Sequence, residues 1–125
     1  MHLTSNDPWR ASIVISDVSN LKNLGYDVTP LLLSIEGVQV GVKNPNHHLN
    51  LDNVVANVTN FIKDGGKVIV CGVCLGIAGF EPNEIIDGVI IGTDEITPKL
   101  FTNATVVTYQ ALTYFFKLSS TYDRF

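Results

Sequence analysis

The stretch GKVIVCGVCL, residues 66–75, decides the fold of this chain. Its first half, from Lys67 to Val70, is a short apolar run rich in β-branched residues, which is typical of a buried strand. A weak helical pattern begins directly after Cys74. The two cysteines of the chain, Cys71 and Cys74, are therefore predicted at a strand-to-helix corner. Because ligands bind at the carboxyl ends of strands in an open α/β sheet, this corner is the candidate functional site.

On both sides of this corner, strand patterns alternate with helix patterns. The predicted strands are residues 2–4, 28–35, 67–70, 88–92 and 104–108. The other predicted helices and helical turns are residues 8–24, 36–42, 52–64, 82–86 and 94–103. This alternation predicts a three-layer α/β/α sandwich around a mainly parallel five-stranded sheet. Pro30 has no N–H to donate to a ladder, so we expect the second strand at a sheet edge.

Helix starts are marked by residues whose side chains accept backbone N–H groups. Asn6 or Asp7 is the candidate N-cap of the first helix, and Asn50 or Asp52 is the candidate for the helix over 52–64. Asp94 is the candidate cap of the last predicted helix. These positions place the helix starts directly after strands or polar loops.

Composition excludes several function classes. The chain is 46% hydrophobic and 16% charged, which suits a single domain with part of its apolar surface buried between subunits. Its net charge of −4, with scattered basic residues, argues against a nucleic-acid partner. No apolar run approaches the roughly 20 residues that span a bilayer, so no membrane partner is expected. The first residues lack the pattern of a signal peptide, and we expect a cytoplasmic protein with reduced thiols.

The last stretch of the chain differs from the rest. Residues 1–109 are predicted to form the α/β domain, and residues 110–125 a C-terminal extension. The extension carries nearly half of the aromatic residues of the chain: Tyr114, Phe115, Phe116, Tyr122 and Phe125. We expect it to pack on the domain or on a neighbouring subunit.

The chain resembles the DsrE/DsrF-like (TusD/YchN-like) family of small sulfur-handling proteins over about residues 2–109. The likeness begins at Leu3-Thr4-Ser5, is strongest over residues 66–75, and continues through residues 85–89. The resemblance implies a flavodoxin-like sandwich assembled as a trimer or hexamer. It also implies sulfur relay, because several members accept sulfane sulfur as a persulfide on a cysteine that ends the third strand and pass it to a partner protein.

Cys71 falls on the position of that persulfide cysteine. The resemblance thus implies that Cys71 is the nucleophile and that sulfur donor and acceptor proteins are its partners. Cys74 is an additional cysteine, which would resolve the persulfide as a disulfide, release the sulfur or hold it. Ala78 stands where an arginine often precedes the glycine in the family. The thiolate is the reactive form of cysteine, and the amides of the following helix are the expected source of its stabilisation.

Candidate substrate contacts come from three loops at the same edge of the sheet. Gly72 lets another atom approach the backbone closely. Thr4 and Ser5 follow the first strand and form a weak anion cradle. His47 and His48 lie in a polar loop and are predicted to form a flap over the cysteines.

Two other function classes remain open. One is a non-catalytic oligomeric binding module in which both cysteines are packing residues. The other is a dithiol oxidoreductase, since a C-x-x-C pair at such a corner suits thioredoxin-like chemistry and Thr97-Pro98 would mimic its proline loop. A zinc site with Cys71, Cys74 and the adjacent His47 and His48 is disfavoured, because neighbouring histidines cannot easily ligate one ion together. We therefore expect neither a metal nor a cofactor.

Overall fold

The computed structural model of the chain describes residues 1–27 and 30–110. The strands within them are β1 (His2–Leu3), β2 (Leu31–Leu33), β3 (Val68–Cys71), β4 (Ile90–Gly92) and β5 (Thr108–Tyr109). The α-helices are α1 (Pro8–Asn23), α2 (Asp52–Lys63), α3 (Gly72–Ile77) and α4 (Ile96–Lys99). The same residues contain three 3₁₀ helices, Ile35–Gly41, His47–Leu49 and Pro82–Glu84.

The strands form one parallel sheet in the order β4-β3-β2-β1-β5. From β1 to β4 the chain moves one strand along at each step, and it then crosses to the far side of β1 to form β5. Since all the described strands run in one direction, their carboxyl ends share one edge of the sheet, and Cys71 lies at that edge. The arrangement confirms the predicted three-layer, flavodoxin-like α/β/α architecture.

The main hydrophobic core lies between one face of the sheet and the helices α1 and α2. Alternate strand residues point into it, because side chains in a strand alternate between the two faces. The sheet contributes fully buried side chains from its central strands: Leu3, Leu31, Leu33, Val68 and Val70. The two helices contribute Ala11, Val14, Ile15, Val18, Val54, Val58 and Phe61. Each buried Val, Leu or Phe stabilises the fold by about 1.5–3 kcal/mol, so this layer dominates stability.

The opposite face of the sheet is covered by α4 and the segment after it. The registers place His2, Leu32, Ile69 and Ile90 side by side on this face. Leu32 and Ile69 are buried, and the ring of Phe101 packs edge-on against His2 with 5.7 Å between ring centroids. The third layer is therefore built from the short α4 and its flanking residues.

The expectation that the second strand lies at a sheet edge is wrong. The N–H of Leu31 donates to the carbonyl of Lys67, directly before β3, and the N–H of Leu32 donates to the carbonyl of Met1, directly before β1 on the other side. Strand β2 is thus bonded to both neighbours. Pro30 precedes the first strand residue, so its missing N–H removes no bond from the ladder.

Two of the predicted helix caps are also corrected. Asp7 does cap α1, since its carboxylate accepts the N–H of Arg10. Helix α2 instead starts after Leu51, with no side-chain cap. At α4 the N-cap residue is Glu95, which makes no side-chain capping bond, and the N–H of Ile96 donates to the hydroxyl of Thr93 rather than to Asp94.

Several strands and helices are shorter than the predicted ranges or are shifted from them. Strand β4 covers residues 90–92 and β5 covers 108–109, while α4 is a single turn and Pro82–Glu84 is a 3₁₀ turn. The predicted C-terminal extension, residues 110–125, falls outside the described residues beyond Gln110, and so does part of the predicted second strand, residues 28–29. No helix in the described residues is long and apolar enough to cross a lipid bilayer.

Strand β5 is tied to α1 by a tyrosine–carboxylate pair. The hydroxyl of Tyr109 donates to the carboxylate of Asp17, and burial followed by this hydrogen bond raises the pKa of Tyr109 to about 12. The pKa of a tyrosine in the unfolded chain is about 10. As the pH rises, the unfolded state therefore loses the tyrosine proton before the folded state does. The contribution of Tyr109 to stability is therefore complete below about pH 10 and is lost as the pH rises towards 12.

We expect the free energy of unfolding to fall between about pH 9 and about pH 11, and Tyr109→Phe to reduce this fall. Urea denaturation at the two pH values measures it. The exposed Tyr26 supplies a matched control, since Tyr26→Phe is expected to leave the pH dependence unchanged. An equal slope in Tyr109→Phe and the unmodified protein would contradict the pairing.

Candidate functional site

The two cysteines lie on the predicted corner, where β3 passes directly into α3. Cys71 is the last residue of β3 and the N-cap of α3, with extended backbone dihedrals of φ −64° and ψ 118°. Its Sγ accepts the backbone N–H of Cys74 at 3.3 Å. A cysteine sulfur thus takes the place that a serine or aspartate oxygen usually occupies at a helix start. This contact gives Cys71 Sγ an N–H donor suited to a negatively charged sulfur.

Gly72 is required at this corner by the packing of β4. A Cβ atom on Gly72 would lie 2.8 Å from the carbonyl oxygen of Gly92 and 3.2 Å from the side chain of Ile91. The atom that approaches Gly72 closely is a backbone oxygen of the neighbouring strand, and contact of Gly72 with a substrate stays a prediction. Gly72 also lines a cleft next to Cys71, described below.

Cys74 lies in an environment that favours its protonated form. Burial raises the pKa of the Cys74 thiol, and a hydrogen bond to the Cys71 side chain raises it further, while the backbone N–H of Ile35 acts in the opposite direction. The Cys71 side chain therefore lies close enough to raise the pKa of Cys74. The hydrogen bond that joins the two residues runs from the backbone N–H of Cys74 to Cys71 Sγ.

We expect the alkylation rate of Cys74 by iodoacetamide to rise with pH around a midpoint above the ordinary cysteine pKa. Replacing Cys71 with alanine removes the side chain that raises the pKa of Cys74, so this midpoint should move down towards the ordinary value while burial keeps it from reaching that value. Mass spectrometry of the alkylated protein at a series of pH values follows the change. A midpoint that rises in Cys71→Ala would contradict this effect of Cys71 on Cys74.

The cysteines line two different cavities. The first, called the Cys74 cavity, has a volume of about 300 Å³ and lies between the 3₁₀ helix Ile35–Gly41 and α3. Its lining residues are Asn6, Ile35, Glu36, Val38, Gln39, Cys74, Ile77 and Ala78. The walls are largely apolar, and Glu36 is the charged residue among those lining it.

The second cavity, called the Cys71 cleft, has a volume of about 470 Å³ and lies between the cysteine corner and the start of α4. Its lining includes Cys71, Gly72, Thr93 and Asp94. No lysine or arginine is among the residues that line either cavity. The donor that reaches Cys71 Sγ is the backbone N–H of Cys74.

Thr4 and Ser5 are held by the protein's own backbone. The hydroxyl of Thr4 donates to the carbonyl of Tyr109 at 3.3 Å, and the hydroxyl of buried Ser5 accepts the N–H of Asp7 at 3.0 Å. These contacts tie β1 to β5 and to the start of α1. Asn6, the next residue in the chain, lines the Cys74 cavity, whereas Thr4 and Ser5 are not among its lining residues.

His47 and His48 form an exposed 3₁₀ turn with Leu49, and their rings lie 4.0 Å apart. Neither histidine is among the residues lining the Cys74 cavity or the Cys71 cleft. In residues 1–27 and 30–110, no three His, Cys, Asp or Glu side chains gather into a group that could hold a metal ion. The zinc alternative therefore has no ligand set there. The role of His47 and His48 as a flap over the cysteines stays a prediction.

For the dithiol-oxidoreductase alternative, Thr97-Pro98 was expected to mimic a proline loop beside the C-x-x-C pair. Both residues lie inside α4, although they do line the Cys71 cleft. Sequence patterns missed Gln39, Glu36 and Ile35 as cavity residues. They follow β2 in an unremarkable apolar stretch, and only the adjacency of β2 and β3 brings them to Cys74.

Comparisons with known proteins agree with this architecture. The family model described as "DsrE/DsrF-like family" matches residues 3–109. A solved protein of unknown function from Methanobacterium thermoautotrophicum, MTH1491, is similar in structure with a TM-score of 0.64 and 18% sequence identity, covering 86% of this chain and 94% of that chain. No curated protein gives a significant match. Since the family model spans most of the sequence, including the cysteine corner, the chain belongs to the DsrE/DsrF-like family.

Proposed function

We propose that the protein carries sulfane sulfur as a persulfide on Cys71 and passes it to a partner protein. Membership of the DsrE/DsrF-like family suggests a role of the sulfur-relay type. The observation that carries the assignment to Cys71 is the hydrogen bond from the backbone N–H of Cys74 to Cys71 Sγ at 3.3 Å. An N–H donor at a helix start favours the thiolate, which is the reactive form of cysteine. Burial and the neighbouring Cys71 raise the pKa of the Cys74 thiol, which makes Cys74 the less reactive of the two.

The proposed loading step is a transfer of one sulfur atom between thiols. The Cys71 thiolate attacks the outer sulfur of a donor persulfide, R–S–SH. A new S–S bond forms on Cys71, the donor's S–S bond breaks, and the donor leaves as R–SH after the proton of its persulfide returns to it. Cys71 then holds –S–S⁻, which the N–H groups of the α3 start can stabilise. The step needs no oxidant or reductant.

Unloading is the same exchange in the opposite direction. A thiolate of the acceptor attacks the outer sulfur of the Cys71 persulfide, takes that sulfur, and releases Cys71 as a thiolate. Attack on the inner sulfur by Cys74 is the competing reaction, and it would form a Cys71–Cys74 disulfide and release HS⁻. The raised pKa of Cys74 slows this reaction, because the thiol is a much weaker nucleophile than the thiolate. Cys74 thereby protects the loaded state.

Intact-mass analysis after incubation with inorganic polysulfide tests the proposal. We expect the folded protein to gain the mass of one sulfur atom, and we expect cyanide to remove this sulfur as thiocyanate. A folded protein that gains no sulfur would reject the relay function. A loss of two hydrogen masses without added sulfur would indicate a Cys71–Cys74 disulfide; if Cys74→Ser then gains no sulfur either, the oxidoreductase alternative is favoured over the relay.

The proposal extends to assembly and partners. We infer a homo-oligomer, a trimer or hexamer, that works in the cytoplasm with sulfur donor and acceptor proteins and with neither nucleic acid nor a membrane. Large apolar side chains on the surface support association, since Trp9 is 79% exposed, Val73 65% and Ile77 82%. Val73 and Ile77 belong to α3, next to the cysteines. Light scattering of the purified protein would measure the subunit count, and a monomer would contradict this part.

A further inference from the structure

The Cys71 cleft presents a carboxylate, and no cation, to a molecule that approaches the reactive sulfur. Asp94, which follows β4, is the charged residue among those that line the cleft. The other lining side chains include the apolar Val73, Pro98 and Phe101. Because Cys71 lines this cleft and not the Cys74 cavity, a sulfur donor reaches Cys71 through it. The charge of the donor therefore matters on the way in.

The Asp94 carboxylate has no structural role within the described residues. It does not cap α4, since the N–H of Ile96 donates to the hydroxyl of Thr93. Neither of the ion pairs within the described residues includes Asp94. The residue is exposed to solvent. Its carboxylate is thus available to attract a cation that enters the cleft and to repel an anion.

The charged residues closest in sequence do not reverse this field. Lys99 belongs to α4 but is not among the residues that line the cleft. Lys67 directly precedes β3, so the length of that strand, roughly 13 Å, separates it from Cys71. Glu95 follows Asp94 and adds a second carboxylate outside the lining. At longer range the net charge of −4 acts in the same direction.

The helix start at Cys71 does not offer an anion site to the donor. The backbone N–H of Cys74 is directed at Cys71 Sγ, so the protein's own sulfur occupies that N–H. A thiolate at Cys71, which is the attacking form, also brings a further negative charge to the cleft. An anionic donor therefore meets repulsion from both the thiolate and Asp94, whereas a cationic group on the donor is attracted by both.

We propose that the Cys71 cleft selects sulfur donors by charge, and that Asp94 sets this preference. Donors with a cationic or neutral body react faster than anionic ones, and a donor protein presents basic side chains beside its persulfide. The inference rests on the proposed function for the identity of the reactant as a sulfur donor. The charge preference itself is a property of the cleft, so reagents without a persulfide measure it.

Methanethiosulfonates of different charge measure the preference in Cys74→Ser protein, where the reaction reports on Cys71 alone. The Cys71 thiolate attacks the sulfenyl sulfur, a disulfide forms, and methanesulfinate leaves with the electron pair of the broken S–S bond. The rates with the trimethylammonium-ethyl and sulfonato-ethyl reagents give a cation-to-anion ratio. The uncharged methyl reagent shows whether a variant changes the reactivity of the thiolate itself. Intact mass at a series of times follows each reaction.

We expect Asp94→Asn to lower the cation-to-anion ratio about fivefold, since one unit charge at about 8 Å in water changes the two rates about twofold in opposite directions. Asp94→Lys should lower it about thirtyfold, because the charge there changes by two units. The methyl reagent should react at an unchanged rate with Asp94→Asn. An unchanged ratio in both variants would overturn the role of Asp94.

Asp87→Asn is the matched control, because it removes the same charge from the protein at a position outside the cleft. Asp87 is 98% exposed and is not among the residues that line the Cys71 cleft. The ratio in this variant should equal that of the parent protein. A fall as large as that of Asp94→Asn would show that the net charge of the protein decides the rates, and it would overturn the proposal.

Loading with sulfur separates this proposal from the proposed function. Intact mass compares loading from cysteamine persulfide, which carries an ammonium group, with loading from mercaptopropionate persulfide, which carries a carboxylate. We expect Asp94→Asn to slow the first and to speed the second, each about twofold. If neither delivers sulfur while the thiosulfonate ratio still depends on Asp94, the relay function is rejected and the charge preference is supported. Loading from both at rates independent of Asp94 would support the relay and overturn the charge preference.

Discussion

Cys71→Ser is expected to abolish persulfide formation, whereas Cys74→Ser should retain it. Cys71 Sγ is the atom that accepts the N–H of Cys74 at the start of α3, and a serine hydroxyl there keeps the helix cap but is not nucleophilic towards sulfane sulfur. Cys74→Ser preserves that backbone N–H, which is the donor to Cys71. The expected difference is therefore complete loss against near-normal loading.

The measurement is the fraction of protein that gains one sulfur atom after incubation with polysulfide, read by intact mass for each variant. Circular dichroism and a thermal melt control for folding. Sulfur that survives Cys71→Ser and disappears in Cys74→Ser would make Cys74 the nucleophile. Equal loading of both variants would indicate two independent reactive thiols, which the hydrogen-bonded pair does not predict.

A second large effect is expected at the start of the 3₁₀ helix that shapes the Cys74 cavity. In Gly37→Ala, the new Cβ would lie 2.3 Å from the carbonyl oxygen of Leu3 and 3.0 Å from its carbonyl carbon. These are backbone atoms at the end of β1, which is bonded to β2 on one side and β5 on the other. Relief of the clash requires a shift of the central sheet. We expect a loss of about 3 kcal/mol or more in the free energy of unfolding.

Urea denaturation compares Gly37→Ala with a glycine that has room for a methyl group. Gly76 lies within α3, and a Cβ there would meet nothing within 4 Å. Gly76→Ala should stabilise the protein by up to about 1 kcal/mol through its better helix propensity. A Gly37→Ala protein as stable as the unmodified one would show that β1 and the Ile35–Gly41 segment are not in the described contact.

Sequence patterns located the cysteine corner because its signal is local. The apolar run Val68–Val70, the cysteine pair and the glycines on either side need only their neighbours to indicate a strand followed by a helix. The cap at Asp7 was found for the same reason, since a capping side chain bonds a backbone N–H three residues later. Features of this kind can be predicted from the sequence because they depend on residues that are neighbours in the chain.

The wrong predictions concern strand register, helix capping and the lengths of strands and helices. Pro30 suggested an edge, but the position of a proline relative to the first ladder bond depends on register, and register is set by packing. Asp94 has the same capping chemistry as Thr93, and the path of the chain after Gly92 decides which of them reaches the N–H of Ile96. The patterns also made β4 and α4 too long and placed the fifth strand at 104–108, which shares only residue 108 with β5, because local propensity does not show where a partner strand begins and stops.

By itself, the sequence determined that this is a parallel α/β protein of the DsrE/DsrF-like family with its two cysteines at the end of a buried strand. Those conclusions depend on periodicity and on residues adjacent in the chain. Only the tertiary structure decided that Cys71 Sγ accepts the backbone N–H of Cys74, that burial raises the pKa of the Cys74 thiol, and that each cysteine lines its own cavity. Gln39 and Ile35 lie more than 30 positions before Cys74 in the sequence, and they line the same cavity. Contacts between residues so far apart in the sequence depend on burial and strand order, which are set by folding of the whole chain.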